Sequence, residues 1–358
     1  MKGFAVIGSG LWGSLHARVY SESDKARLVG VCDLDEQRAR DLGSKFGAEA
    51  YVDLGKMLAR DDIDAVSIVT PDFAHTDIAL AAIAAGKHVL CEKPLATTSA
   101  DCRRIIDAAK NAGVKLMVDF HARWSPPFCS AKKSIDTGEV GSVRLIYYRL
   151  SDTIFVPTEM LSWASKSTVA WFIGSHSLDT VTWLIGDKVE SVYAVSRSVV
   201  LKEKGIDTPD FYEVILEFAN GAVAVIENCW ILPNSLPNII DLKCEIVGSE
   251  GALYVDGSSH RTIERYTGGK AWYPDVLVMP EVRGKQMGFA AESIRHFIDC
   301  VVDNKTPSVT GEDGLKITEL IEAIERSIAV GERVACNNKR PEGLAYLPAM
   351  RARERDLG

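Results

Sequence analysis

Over the first 120 residues, short β-branched runs alternate with segments of helical spacing, and no other feature narrows the fold as much. Residues 4–7, 28–32, 65–69, 88–91 and 115–120 read as strands; 11–20, 36–46, 78–85 and 99–111 carry apolar residues three and four apart. The strand runs are apolar along their length rather than on alternate residues. That is the pattern of a parallel sheet covered on both faces by crossover helices. Asp72 and Ser99 stand where the third and fourth helices need N-caps, and Gly86 and Gly113 where helices end. This part is a doubly wound α/β unit.

After about residue 140 the rhythm changes. Runs at 143–149, 189–199, 212–218, 222–230, 241–247 and 252–255 follow one another with few helices between them, and Asn220-Gly221 reads as a type I′ hairpin turn. Together they predict an open-faced, mainly antiparallel sheet in an α+β domain, completed by helices at 289–302 and 314–329. The expected division is residues 1–122 and 123–358, with a polar tail whose residues 351–356 form a solvated face.

Forty-nine acidic residues against 41 Lys and Arg leave a net charge of −8, with no basic stripe, which argues against nucleic-acid binding. No apolar run approaches the length of a membrane span, and no leader-like segment precedes the first strand. The eight cysteines are scattered without a C-x-x-C pair, so they read as reduced packing residues of a cytoplasmic protein, and no metal site is expected.

Gly8-Ser9-Gly10-Leu11-Trp12-Gly13 links the first strand to the first helix. Gly8 permits the tight turn, Gly10 lets backbone approach a pyrophosphate, and Gly13 lets helix and strand pack closely. The helix N-terminus adds free N–H groups and the positive end of its dipole. Asp33 ends the second strand, 20 residues after Gly13, where an acid binds the adenine ribose hydroxyls. A carboxylate there repels a 2′-phosphate, which favours NAD over NADP, although Arg38 one turn into the next helix could soften the preference. Leu11 and Trp12 belong to the same loop. Trp12 either covers the cofactor or packs.

Two further motifs sit at carboxyl ends of strands: Thr70-Pro71-Asp72-Phe73-Ala74-His75 and Cys91-Glu92-Lys93-Pro94-Leu95. With His16 after the glycine loop, Phe120-His121-Ala122-Arg123, Gly174-Ser175-His176-Ser177-Leu178-Asp179 and Gly311-Glu312-Asp313-Gly314, this ordered set resembles the glucose–fructose oxidoreductase and inositol dehydrogenase (Gfo/Idh/MocA) family. The resemblance implies a Rossmann domain, an open-faced sheet domain, and reversible oxidation of a secondary alcohol on a sugar or cyclic polyol. It assigns Gly8, Gly10, Leu11, Trp12, Gly13, Asp33, Thr70, Pro71, His75, Glu92 and Lys93 to the cofactor. Lys93 and His176 fall to the reacting oxygen.

The chemistry requires such groups, because hydride leaves a carbinol carbon only as its hydroxyl proton departs to a base. A lysine titrating near 10.4 must lose about 3 units to serve, which desolvation and a nearby cation can supply. The family's usual aspartate four residues before the histidine is Phe172 here. On an α-helix Phe172 would lie beneath His176 and favour its neutral form, leaving Asp179 to orient the imidazole. Lys93, His121, Arg123, Asp152, His176 and Asp179 are the candidate substrate contacts. Trp124, Trp163 and Trp230 either stack on a sugar or belong to the core. Two other readings of the same residues are a glycosidase that retains its redox cofactor and a non-catalytic NAD(H) sensor. The open sheet face calls for cover, hence a homodimer or homotetramer.

Overall fold

In the computed structural model, which describes residues 1–258, 262–269 and 271–336, the first sheet has six parallel strands. They are β1 (Lys2–Ile7), β2 (Ala26–Cys32), β3 (Glu49–Tyr51), β4 (Ala65–Ile68), β5 (His88–Cys91) and β6 (Leu116–Val118), in the spatial order β3-β2-β1-β4-β5-β6. Helices α1 (Leu11–Ser21), α2 (Glu36–Phe46), α3 (Leu54–Leu58), α4 (His75–Ala84) and α5 (Ser99–Ala112) make the crossovers. The strand order reverses between β1 and β4, which opens a crevice at their carboxyl ends. The short β3 and α3 carry too few residues to show a period and were not anticipated.

Two caps differ from expectation. A 3₁₀ turn over Asp72–Ala74 precedes α4, so Asp72 does not cap it; its carboxylate accepts from the Phe73 N–H at 2.7 Å and from the Ser167 hydroxyl. Thr98, one residue before Ser99, caps α5 by accepting from the Asp101 N–H at 3.0 Å. Gly86 and Gly113 do take the left-handed conformation after their helices.

The second lobe follows α6 (Pro126–Asp136). Its strands are β7 (Val143–Asp152), β8 (Val189–Arg197), β9 (Phe211–Phe218), β10 (Val223–Cys229), β11 (Ile240–Gly248) and β12 (Ala252–Asp256). They lie in the order β12-β11-β7-β10-β9-β8, with Val334–Ala335 pairing at the β8 edge; only β7 and β10 are parallel. The β9–β10 turn is not type I′. Gly221 has φ 79°, Asn220 does not have positive φ, and the Phe218 N–H reaches the Ala222 carbonyl at 2.9 Å. The loop is therefore three residues closed by a left-handed glycine.

Helices α7 (Ser175–Ile185), α8 (Val200–Glu203), α9 (Phe289–Val302) and α10 (Gly311–Val330) complete the described chain, and residues 351–356 lie outside it. Helix α9 does not complete the second lobe as expected. Its Ala290, Ile294, Phe297 and Ile298 share a core with Phe4, Leu15 and Tyr20 of the first lobe. A second core runs unbroken from Ile7, Cys91 and Val118 to Ile146, Leu216 and Ala224, so one apolar interior joins both sheets.

Among the described residues, nothing buries the large side chains on one face of the second sheet in this way. Register aligns Tyr254, Glu245, Tyr147, Val225, Ile215 and Tyr193 in a row across six strands. The four large apolar residues Tyr254, Tyr147, Ile215 and Tyr193 are exposed, Tyr254 at 75%. Among the described residues no helix is long and apolar enough to cross a membrane.

Helix α10 starts at a capping box between Thr310 and Asp313 and presses its first turn onto the first lobe. A Cβ on Gly314 would stand 2.8 Å from the Leu95 Cβ and 2.9 Å from Val118. Gly314→Val should therefore lower unfolding free energy by about 1–3 kcal/mol, read as an earlier urea midpoint at unchanged slope.

Candidate active site

The glycine loop meets the demands of a pyrophosphate. Gly8 has φ +103° and a Cβ there would sit 2.3 Å from the Val69 carbonyl; one on Gly13 would sit 1.9 Å from the Gly8 carbonyl. Gly10 differs, because a Cβ there meets nothing within 4 Å. It opens α1 without a side-chain cap, leaving the helix's first N–H groups for a ligand. The hydroxyls of Ser9 and Thr70 are buried without hydrogen-bond partners beside this space. Asp33 accepts from the Ser9 N–H at 2.7 Å and the Asp35 N–H at 2.9 Å, which ties the end of β2 to the loop. Arg38 lies 3.6 Å from Asp35 on the exposed surface. Leu11 is exposed, and Trp12 stacks on His121 with centroids 5.0 Å apart. Open space, unsatisfied donors and the absence of an acid in the first turn of α1 fit a dinucleotide.

The Thr70-Pro71 and Lys93-Pro94 segments are held together by His75. Its Nδ1 faces the Pro94 carbonyl at 2.7 Å and its Nε2 the Thr70 carbonyl at 2.9 Å, so the buried ring shapes both loops. Around Glu92, the residue before Lys93, the polar atoms of His16, Glu92 and Asp119 lie within 4.8 Å of one another. His16 Nε2 is 3.4 Å from Glu92 and 3.7 Å from Asp119 Oδ2, an oxygen with no hydrogen-bond partner. Burial pulls the Glu92 carboxyl up, but the hydrogen bond and charge of His16 outweigh it and hold Glu92 at about 2. Burial and the Glu92 charge push Asp119 well above the carboxylate range, so it carries the proton of the pair.

Lys93 projects into the crevice and donates to the Phe172 carbonyl at 2.6 Å, with Nζ 4.5 Å from the Phe172 ring centroid. Burial lowers its proton affinity, and Glu92, Asp72, Asp152 and Asp119 restore only part of it. Phe172 does not lie beneath His176 as α-helical spacing predicts. The turn over Ala170–Gly174 is π-helical, which rotates the ring onto Trp163 (5.9 Å) and Trp230 (5.7 Å) and against Lys93. His176 is buried, with Nδ1 unpartnered and its ring 4.6 Å from that of His121. Burial lowers its proton affinity well below the ordinary range, and the Lys93 and His121 charges add to this. Burial, not Phe172, is therefore the first cause that disfavours the charged imidazole. His121 is driven by burial to about 4, and it also leaves Nδ1 without a partner.

Asp179 does not orient His176. Both of its oxygens are taken by Arg123, from Nε at 3.0 Å and Nη2 at 2.6 Å, and Arg123 also reaches Asp313 at 3.1 Å. Arg123, Asp179 and Asp313 line a cavity of about 310 Å³ that neither Lys93 nor His176 lines. Asp152, buried at the end of β7, accepts from the Trp230 indole N–H at 3.2 Å. Burial raises it to about 7 against the opposing pull of Trp230 and Lys93. Trp163 packs on Phe172 beside Lys93, Trp230 is a fully buried core residue behind Phe172, and Trp124 packs on His296. Sequence reasoning missed Asp119 and Phe289, which flanks His121 at 5.6 Å. A carboxylate inside the apolar 115–120 run was the available signal for Asp119; nothing local marks Phe289.

The chain matches the model of an oxidoreductase family with an NAD-binding Rossmann fold over residues 2–120, and that family's C-terminal alpha/beta domain over residues 132–336. It is 28% identical to a myo-inositol 2-dehydrogenase of Thermotoga maritima, over 90% of this chain and 95% of that one. It is 27% identical to a D-apiose dehydrogenase of Paraburkholderia graminis, over 95% and 91%. Among solved structures it is similar to GenD2 from gentamicin A biosynthesis in complex with NAD, with TM-score 0.82, 27% identity, and 94% and 97% of the two chains covered.

Because the Gly10 side faces open space, Gly10→Ala should fold with unchanged stability. Its methyl would stand where a phosphate approaches, so fluorescence titration should find NADH binding weakened by about tenfold or more, a loss near 1.4 kcal/mol.

Proposed function

The chain belongs to the Gfo/Idh/MocA oxidoreductase family, and on that premise we propose that it oxidises a secondary alcohol of a sugar, sugar derivative or cyclic polyol with NAD, using Lys93 and His176 as acid–base groups. What supports this reading is the glycine loop, with no room for a Cβ at Gly8 and Gly13 and open space at Gly10, together with a lysine whose proton affinity burial lowers and an imidazole whose charged form burial and Lys93 disfavour.

The nicotinamide supplies a hydride acceptor when bound. Lys93 as a neutral amine keeps one N–H on the Phe172 carbonyl and turns its lone pair to the substrate hydroxyl, whose proton it takes. His176, uncharged, hydrogen-bonds the same oxygen and fixes which carbinol is presented. Phe172 and Trp163 offer apolar surface to the C–H face of a ring substrate, with the buried Trp230 packed behind Phe172. The carboxylate of Asp33 favours NAD over NADP. The cyclic polyol inositol and the sugar apiose, named for two relatives, both fall within the proposed class. All eight cysteines are free, which agrees with a reducing cytoplasmic setting.

The test is a panel of monosaccharides, inositols and anhydrosugars followed at the NADH absorbance, with NAD⁺ and NADP⁺ in parallel. NADH should accumulate with turnover, which a cofactor-retaining glycosidase or a sensor would not allow. Lys93→Met should lower kcat/KM about 10³-fold and His176→Ala about 10²-fold, with NADH binding retained. Loss of activity in Phe172→Ala but not in His176→Ala would overturn the assignment.

A second copy of the chain is the proposed cover for the exposed row on the second sheet. Ile215 sits inside that row, so Ile215→Arg should give a monomer by light scattering with an unchanged circular dichroism spectrum. An unchanged mass would place the contact elsewhere.

A further inference from the structure

His176 stands on the first turn of α7, and among the described residues nothing hydrogen-bonds its buried Nδ1. The ring is met instead by the His121 imidazole at 4.6 Å and, edge-on, by Phe120 at 6.4 Å. His121 opens the 3₁₀ turn His121–Trp124, which follows β6 of the first sheet. Its own ring is stacked on Trp12 at 5.0 Å and flanked by Phe289 at 5.6 Å. Ring contacts alone hold His176 in place only while α7 keeps its spacing from that turn.

Asn228 does not set this spacing. It ties the Ser177 hydroxyl to β10 at 2.7 Å and the Leu150 carbonyl at 2.9 Å, and so places α7 on its own sheet. Arg123 and Asp179 do bridge the two elements. Asp179 lies three residues after His176, one turn along α7, and Arg123 lies two residues after His121. The guanidinium meets both carboxylate oxygens, with Nε at 3.0 Å and Nη2 at 2.6 Å. Both side chains are withdrawn from water, Arg123 to 14% exposure and Asp179 to 1%. A fork on two oxygens fixes angle as well as distance, which a single contact does not. Nη2 also reaches Asp313 at 3.1 Å, and the other oxygen of Asp313 accepts from the Thr310 N–H at 2.9 Å in the capping box of α10. The bridge is therefore anchored on a third element.

We propose that Arg123 and Asp179 are positioning residues for His176, their two-point ion pair holding the first turn of α7 at the spacing that packs the two imidazoles. The pair acts through the placement of the ring and touches neither substrate nor cofactor. Its kinetic consequence rests on the dehydrogenase reading; its geometric consequence does not. An imidazole that hydrogen-bonds a reacting hydroxyl tolerates little displacement, and a shift of about 1 Å costs turnover more than binding.

Arg123→Lys keeps the charge and loses the fork, whereas Asp179→Asn keeps the shape and loses the anion. Each should lower kcat about tenfold, with KM within about threefold and NADH binding unchanged. A double-mutant cycle then asks whether the loss passes through the ring. In the His176→Ala background neither substitution should cost more than about twofold, because the group they position is gone. An undiminished cost in that background, a loss confined to KM, or a wild-type kcat in both single variants would overturn the proposal. Should Asp179→Asn fail to fold, Arg123→Lys carries the same cycle.

A substrate-free measurement keeps the geometry separate from the activity. In deuterated protein with protonated histidine rings, the wild type should give a nuclear Overhauser peak between His121 and His176, assigned through His121→Ala and His176→Ala. Arg123→Lys and Asp179→Asn should lose most of that peak. A peak of wild-type intensity in both variants overturns the positioning role whether or not a substrate is known. A lost peak in a protein whose wild type shows no NAD-linked turnover would instead retire only the dehydrogenase reading.

Discussion

An ammonium drawn out of water loses several kcal/mol of hydration unless dipoles and counter-charges replace it, and the crevice is organised around that one requirement at Lys93. The Phe172 carbonyl and the face of its ring supply the dipoles, and four carboxyls supply a field that stabilises the charge only in part. The result is a lysine with lowered proton affinity. His75 holds the Pro94 carbonyl beside Lys93, and the π-helical turn before α7 presents the Phe172 carbonyl to its Nζ. Each lobe therefore contributes one half of the lysine's surroundings.

Such a field works only if the nearby carboxyls do not all behave alike. His16 keeps Glu92 ionised, and the Glu92 charge in turn keeps Asp119 protonated, so two adjacent buried acids carry one negative charge. Arg123 takes both oxygens of Asp179 and removes that acid from the Lys93 crevice altogether. Burial raises Asp152 to about 7, against the opposing pull of the Trp230 indole and Lys93.

The alternating strands and helices of the first lobe were readable because a parallel strand buried on both faces is apolar throughout, and 36–46 and 88–91 have the expected bounds. The glycine loop, Asp33 and Lys93 stood out as candidates because charged or glycine residues at strand ends have no packing explanation, whereas His176, on a helix, was marked only by the family resemblance. Phe172 was misplaced because the four-residue rule assumes an α-helix, and one π turn breaks it. The Arg123–Asp179 pair spans 56 residues, and no local pattern announces a contact across that distance. Periodicity likewise shows that α9 buries a face, but not that the face meets Phe4 and Tyr20 rather than the second sheet.

That misplacement explains how the later chain enters the site. At its start α9 sets Phe289 beside His121, and one turn on it sends the Ser293 hydroxyl to Asp119. The same helix buries Phe297 edge-on to Phe4, with ring centroids 6.2 Å apart, in the core beneath β1. A helix encoded near residue 290 thus fixes the protonated acid beside Glu92 and one side of the imidazole pair. Because the other core runs unbroken between the two sheets, closing this crevice requires no docking of independent bodies. The lysine's environment is set by the same packing that holds the fold together, and disturbing α9 would disturb both.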